Sequence, residues 1–182
     1  MPTPHHGRRR RLLSVAATLL LAASLSACNP ALNWREVRGS DAPYTVLLPA
    51  KPATFARPVN LDGLQVEMSM TGAEVDDVSF AVASARIPDP QQRKAALAAM
   101  QSAMLRNIGS EHHAQRAVAL KGGTPAIEVK ADGRAGPNGR PLVMHARFAE
   151  RGERVFQAIA LGPQDKLSEE AAETFLASFT LH

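Results

Sequence analysis

Leu64, Val66, Met68 and Met70 alternate with Gln65, Glu67, Ser69 and Thr71, and this period of two returns twice more along the chain. Val78, Phe80 and Val82 alternate with Ala81, Ala83 and Ala85 through Ile87, and Leu142, Met144, Ala146 and Phe148 alternate with Val143, His145 and Arg147. Alternation on that scale dictates strands with one apolar face. Polar turns between successive runs, Gly72 to Asp77 and Arg151-Gly-Glu153, predict antiparallel hairpins, with Val155 to Leu161 as the return strand of the second. Tyr44 to Pro49 is a further short strand stopped by proline, and Arg116 to Leu120 and Ala126 to Ala131 flank a Lys121-Gly-Gly-Thr-Pro125 turn.

Two segments break this rhythm. Asp89 is a candidate N-cap, Pro90 suits the first helical position and Gln92 completes a capping-box-like pattern. Leu97, Met100, Met104 and Ile108 then recur at three and four, and Gly109 stops the helix. Ser168, with Glu169 and Glu170 behind it, caps a last helix whose apolar side is Ala172, Phe175, Leu176 and Phe179. The expected fold class is α+β, a mainly antiparallel sheet covered by helices.

The first thirty residues obey different rules. Arg8 to Arg11 precede Leu12 to Ala27, a run with nothing more polar than Ser and Thr. That run is short against the roughly 20 residues of a spanning helix and ends in small residues, so it reads as a cleaved signal peptide. Arg9 to Leu13 also fits a twin-arginine pattern loosely, which leaves Sec or folded export open.

Leu25-Ser26-Ala27-Cys28 resembles the bacterial lipobox. The resemblance implies recognition of Leu25, Ser26 and Ala27 by the signal peptidase, cleavage before Cys28, and lipid on its sulfur and new α-amino group. Two or more acyl chains make a stable anchor where one gives only marginal binding. The expected address is the bacterial cell envelope, facing the periplasm. By resemblance to a known sorting rule, Asn29 rather than Asp favours the outer membrane.

Of 21 basic and 17 acidic residues, four of the basic ones lie in the leader, so residues 28–182 balance at 17 and 17. A balanced chain lacks the footprint of a phosphate-backbone binder, which excludes nucleic acid as a partner. Cys28 is the only cysteine, so no disulfide or thiolate metal site can form within the mature chain. The expected organisation is a signal peptide over 1–27, a lipidated N-terminus and tether over 28–43, and one globular domain over 44–182. Trp34 to Arg38 is readable either as tether or as a first edge strand.

Tyr44-Thr-Val-Leu-Leu-Pro-Ala-Lys-Pro52, Gly123-Thr-Pro-Ala-Ile-Glu128 and Phe175-Leu-Ala-Ser-Phe179 resemble marks of PsbP-like domains over about residues 43 to 181. The resemblance implies an α/β/α sandwich with an assembly or binding role, and brings no catalytic residue. Neither G-x-S-x-G nor H-E-x-x-H, a phosphate loop or a dinucleotide fingerprint occurs. The leading expectation is a non-enzymatic interaction module without a cofactor. Its candidate partner-binding loop runs from Asp132 to Arg140, with Arg134 and Asn138 between them.

The alternative is a binder of a small molecule or metal, lipid or copper, signalled by convergence of His112, His113 and Met144. The methionines read better as core filler, and His145 as a residue on the outer sheet face, so no metal ligand is assigned. An enzyme would show a cleft holding Glu128, His145 and Arg147 with perturbed pKa values. For Glu128 and Lys130, a cross-strand ion pair is the default.

Overall fold

Ten strands and two helices follow one another through residues 32–136 and 139–182, the part described by the computed structural model. Leu25, Ser26, Ala27, Cys28 and Asn138 lie outside these described residues. In chain order come β1 (Arg35–Arg38), β2 (Tyr44–Leu48), β3 (Ala53–Leu61), β4 (Leu64–Val75), β5 (Val78–Arg86) and α1 (Pro90–Asn107). They are followed by β6 (His113–Ala119), β7 (Pro125–Arg134), β8 (Pro141–Arg151), β9 (Arg154–Pro163), α2 (Glu169–Ser178) and β10 (Thr180–Leu181).

Seven strands form one antiparallel sheet in the order β3-β4-β5-β9-β8-β7-β6. A smaller sheet, β1-β2-β10, packs with α2 on one face of the large sheet, and α1 covers the other. The fold is therefore α+β and mainly antiparallel, as the alternation requires.

The two faces carry different cores. Beneath the small sheet and α2, Phe80, Phe156, Phe175 and Phe179 meet Trp34 and Tyr44, with Trp34 edge-on to Phe80 at 5.7 Å and Phe80 to Phe175 at 5.5 Å. Ala149, Ala158 and Ala160 on the sheet leave room for these rings. Each fully buried phenylalanine contributes about 1.5–3 kcal/mol. On the opposite face Met100 of α1 and Ile108 at its C-cap cluster with Val129, Met144, Ala146 and Phe148.

Both helices have the ends their sequences encode. The Asp89 carboxylate accepts from Gln91 N at 2.7 Å and Gln92 N at 3.4 Å. At the other end Gly109 takes φ 58°, with its N–H on Arg106 O and that of Ser110 on Leu105 O, a Schellman closure. In α2, Ser168 Oγ accepts from Ala171 N at 3.1 Å.

Three expectations need correction and one open choice is decided. Of the two readings of Trp34 to Arg38, the edge strand is the one observed: Leu32 already belongs to the folded unit, Asn33 N donates to Pro49 O at 2.8 Å, and Arg35–Arg38 pairs with β2. The folded unit thus begins at Leu32 rather than at 44, because Trp34 and Val37 have core to cover. A whole strand, β3, was invisible because Ala53 to Pro58 are all exposed and show no alternation; Pro58 is tolerated there because β3 is an edge.

The turn expected over Gly72 to Asp77 contracts to Asp76-Asp77, both at positive φ (51° and 67°), which lets β4 run on to Val75. The loop expected from Asp132 to Arg140 also contracts. Asp132 and Arg134 are strand residues paired with Val143 and Pro141, and only residues 135–140 remain as connection. Glycine at 133 makes this possible, since it lets the end of α1 close down on β7, where Arg134 N donates to Ile108 O at 2.7 Å.

Candidate functional site

Pairing about the Lys121–Pro125 turn puts Arg116 of β6 opposite Glu128 of β7, and the β7–β8 register puts Arg147 opposite it on the other side. The carboxylate is thereby clamped between two guanidiniums. Arg116 reaches Oε1 from Nε at 2.8 Å and Nη2 at 2.5 Å, and Arg147 reaches Oε2 from Nε at 2.8 Å and Nη2 at 2.7 Å. The expected cross-strand ion pair is present, but Glu128 makes it with arginines while Lys130 turns to Glu169.

Arg147 also ties the sheet to α2. Its Nη1 donates to Leu176 O at 2.7 Å in the last helical turn, where a cation complements the helix dipole, and Nη2 approaches Glu173 at 3.4 Å. Burial pushes the Glu128 carboxyl upward, but the two arginines outweigh it and hold it below the usual carboxylate range. Hydrogen bonding to Glu128 raises Arg116 in turn. Glu128 is 1% exposed and both its oxygens are engaged, so it sits within a cross-brace and not at a cleft wall.

His145 departs from expectation. It is not on an outer face: α2 covers it, leaving it 6% exposed, with Nε2 3.6 Å from Glu169 Oε2. The alternation of β8 is true, but the sheet is buried on both faces there, so the polar side of the strand lies under a helix. Burial lowers the imidazole pKa, Glu169 opposes that, and Lys130 adds to it. The Lys130 ammonium in turn holds Glu169 low.

An open depression of about 460 Å³ brings His112, His113 and His145 together with Lys130, Asp132 and Glu169. Met144 does not join it, being fully buried on the α1 face. Among the described residues, no three His, Cys, Asp or Glu side chains are placed to hold a metal ion.

The expected partner loop is divided. Asp132 and Arg134 line a second depression, of about 540 Å³, beside the end of α1, whereas exposed Arg140 bonds Asp77 across to the β4–β5 turn at 3.2 Å. Sequence reasoning passed over Arg116, Glu173 and Glu169 as site residues. Arg116 was within reach, since it and Glu128 are equidistant from Gly122 in the hairpin; the acidic residues arrive from a helix whose docking no local pattern encodes.

No family model matches the chain, and no curated protein matches it. Among solved structures, one from Bacteroides thetaiotaomicron is similar to 81% of this chain at 12% identity with a TM-score of 0.47. This chain covers 48% of that one, about half its length. A Pseudomonas aeruginosa protein of unknown function is similar over 74% of this chain and 86% of its own, at 15% identity and a TM-score of 0.34.

Proposed function

We propose that the protein is a bacterial envelope lipoprotein: a PsbP-like α/β/α domain held on a membrane through lipid on Cys28, facing the periplasm and serving as a non-enzymatic interaction or assembly module. The observation that carries this reading is the tetrapeptide Leu25-Ser26-Ala27-Cys28 at the end of an arginine-led apolar run. Placement supports it, because only residues 29–31 intervene before the folded unit at Leu32. The interaction role draws on the open edges of the large sheet. Of these, β3 carries Arg57 and Pro58, devices that discourage strand addition. The other edge, β6, has no proline and is exposed along most of its length, which suits an added partner strand.

The test is metabolic labelling with palmitate in a bacterial host, comparing the native chain with Cys28→Ala. Label on the native protein alone is the expected result. Equal labelling of both ends the proposal.

A second reading, small-molecule binding, is favoured by one feature. The His145 side chain is more than nine-tenths buried, makes no hydrogen bond to any other described residue, and contributes to the wall of the 460 Å³ depression. Native mass spectrometry of protein taken from its host checks it, and a clean apo mass counts against it.

A further inference from the structure

Among the described residues Phe55 is the one large hydrophobic side chain left exposed, at 51%. It stands on β3 beside a shallow groove of about 380 Å³ lined by Ala53, Met70, Gly72, Lys51 and Glu74. The groove lies past the reach of α1, at the end of the large sheet where β3 begins and the β4–β5 turn closes.

The start of the folded unit is pinned to that same end in two ways. Asn33 N donates to Pro49 O, and Pro49 stands two residues before Lys51 of the groove wall. Trp34 packs edge-on to Phe80 at 5.7 Å from the opposite face of the sheet, and Phe80 also borders the groove. Cys28 is four residues before Leu32, a span of at most about 14 Å of extended chain. A lipid on Cys28 therefore cannot lift this end of the domain far from headgroups.

From this the geometry points to a membrane-facing surface: Phe55 and the groove beside it dock on the bilayer that holds the anchor. The inference rests on the lipoprotein reading and adds to it which side of the domain meets lipid. Phe55 supplies an apolar ring for the boundary between headgroups and acyl chains, and Lys51 a long apolar stem with a charged head that stays in water. A protein partner or a second copy of the chain are the competing occupants.

Cys28 is the only cysteine, and lipidation consumes its thiol, so an introduced cysteine becomes the sole labelling site. Ala53→Cys at the groove and Ala117→Cys on the far edge strand, both at exposed positions, are each labelled with a nitrobenzoxadiazole dye in the full lipidated protein. The proteins are reconstituted into phosphatidylcholine–phosphatidylglycerol vesicles containing a nitroxide lipid. Quenching several-fold stronger at position 53 than at 117, and reduced when Phe55→Ser is added, is the expected result.

Equal quenching at both positions in protein that carries lipid mass on Cys28 overturns the orientation and leaves the anchor standing. Protein with no lipid mass overturns the anchor, and the orientation with it. A label at position 53 shielded from aqueous iodide in native membranes, yet untouched by nitroxide lipid, assigns the groove to a protein and also overturns the proposal.

Discussion

Arg147 and Glu128 face each other on adjacent strands, with Nε and Nη2 of the arginine 2.8 and 2.7 Å from one carboxylate oxygen, and the same guanidinium reaches on to Leu176 O of α2. One side chain thus joins two layers of the fold. A pair this deeply buried costs desolvation on both sides, so its worth lies in being complete.

Removing one member is therefore worse than removing both. Glu128→Leu leaves buried Arg147 with only the half-exposed Glu173, 3.4 Å away, as counter-charge and is expected to cost about 3–5 kcal/mol, whereas Glu128→Leu combined with Arg147→Met recovers most of that loss. Urea denaturation of the four members of the cycle checks this. A double variant as unstable as the sum of its singles contradicts it.

His145 makes stability depend on pH. Its folded pKa lies below the ordinary 6.5 because burial disfavours the charged ring, so the unfolded chain takes up the proton first. Stability is full above about pH 6.5, declines as pH falls below it, and levels off once the folded form also protonates. The carboxylates of Glu169, Glu128 and Glu173 and the Lys130 ammonium face the ring, and only the lysine works with burial. Glu128 and Glu169, both held low, lose their contribution only in the carboxylate range. His145→Gln should flatten the unfolding free energy in the window just below about pH 6.5 while leaving the steeper acid limb. An unchanged slope in that window contradicts the assignment.

Much of this fold was readable because period and caps act locally. The Met68–Met70 alternation, the Asp89-Pro90 start and the Ser168 cap each stand where the sequence places them. Other features depend on what packs from a distance. Polar His145 and Arg147 read as a solvent face until a helix from residues 169–178 lies over them. Nothing within β3 marks it as a strand, because the pairing partner that makes it one is β4. Glu128 and its neighbours were legible as a charge pair, while the identity of the partner depended on register.

Gly133 is where the loop expectation failed, and it carries a prediction of its own. A Cβ there would collide with the Ile108 carbonyl and side chain, where the end of α1 meets β7. Gly133→Ala is expected to cost about 1–3 kcal/mol through overpacking. The exposed Gly63→Ala would not serve as a comparison, because its φ of 92° adds strain without contact. Thermal melts of Gly133→Ala against Ala114→Ser, an exposed change on β6, measure the effect. Matching midpoints would show that the helix end can retreat at no cost.

β10 pairs Thr180 with Thr45 and Leu181 with Tyr44, and His182 N reaches Pro43 O at 2.9 Å, so residues 180–182 complete a sheet begun by residues 35–48. Such a clasp imposes an order of events in biogenesis. A nascent chain holds its aromatic cluster half-roofed until residues 180–182 have emerged, and that interval is when a chaperone would have most to shield.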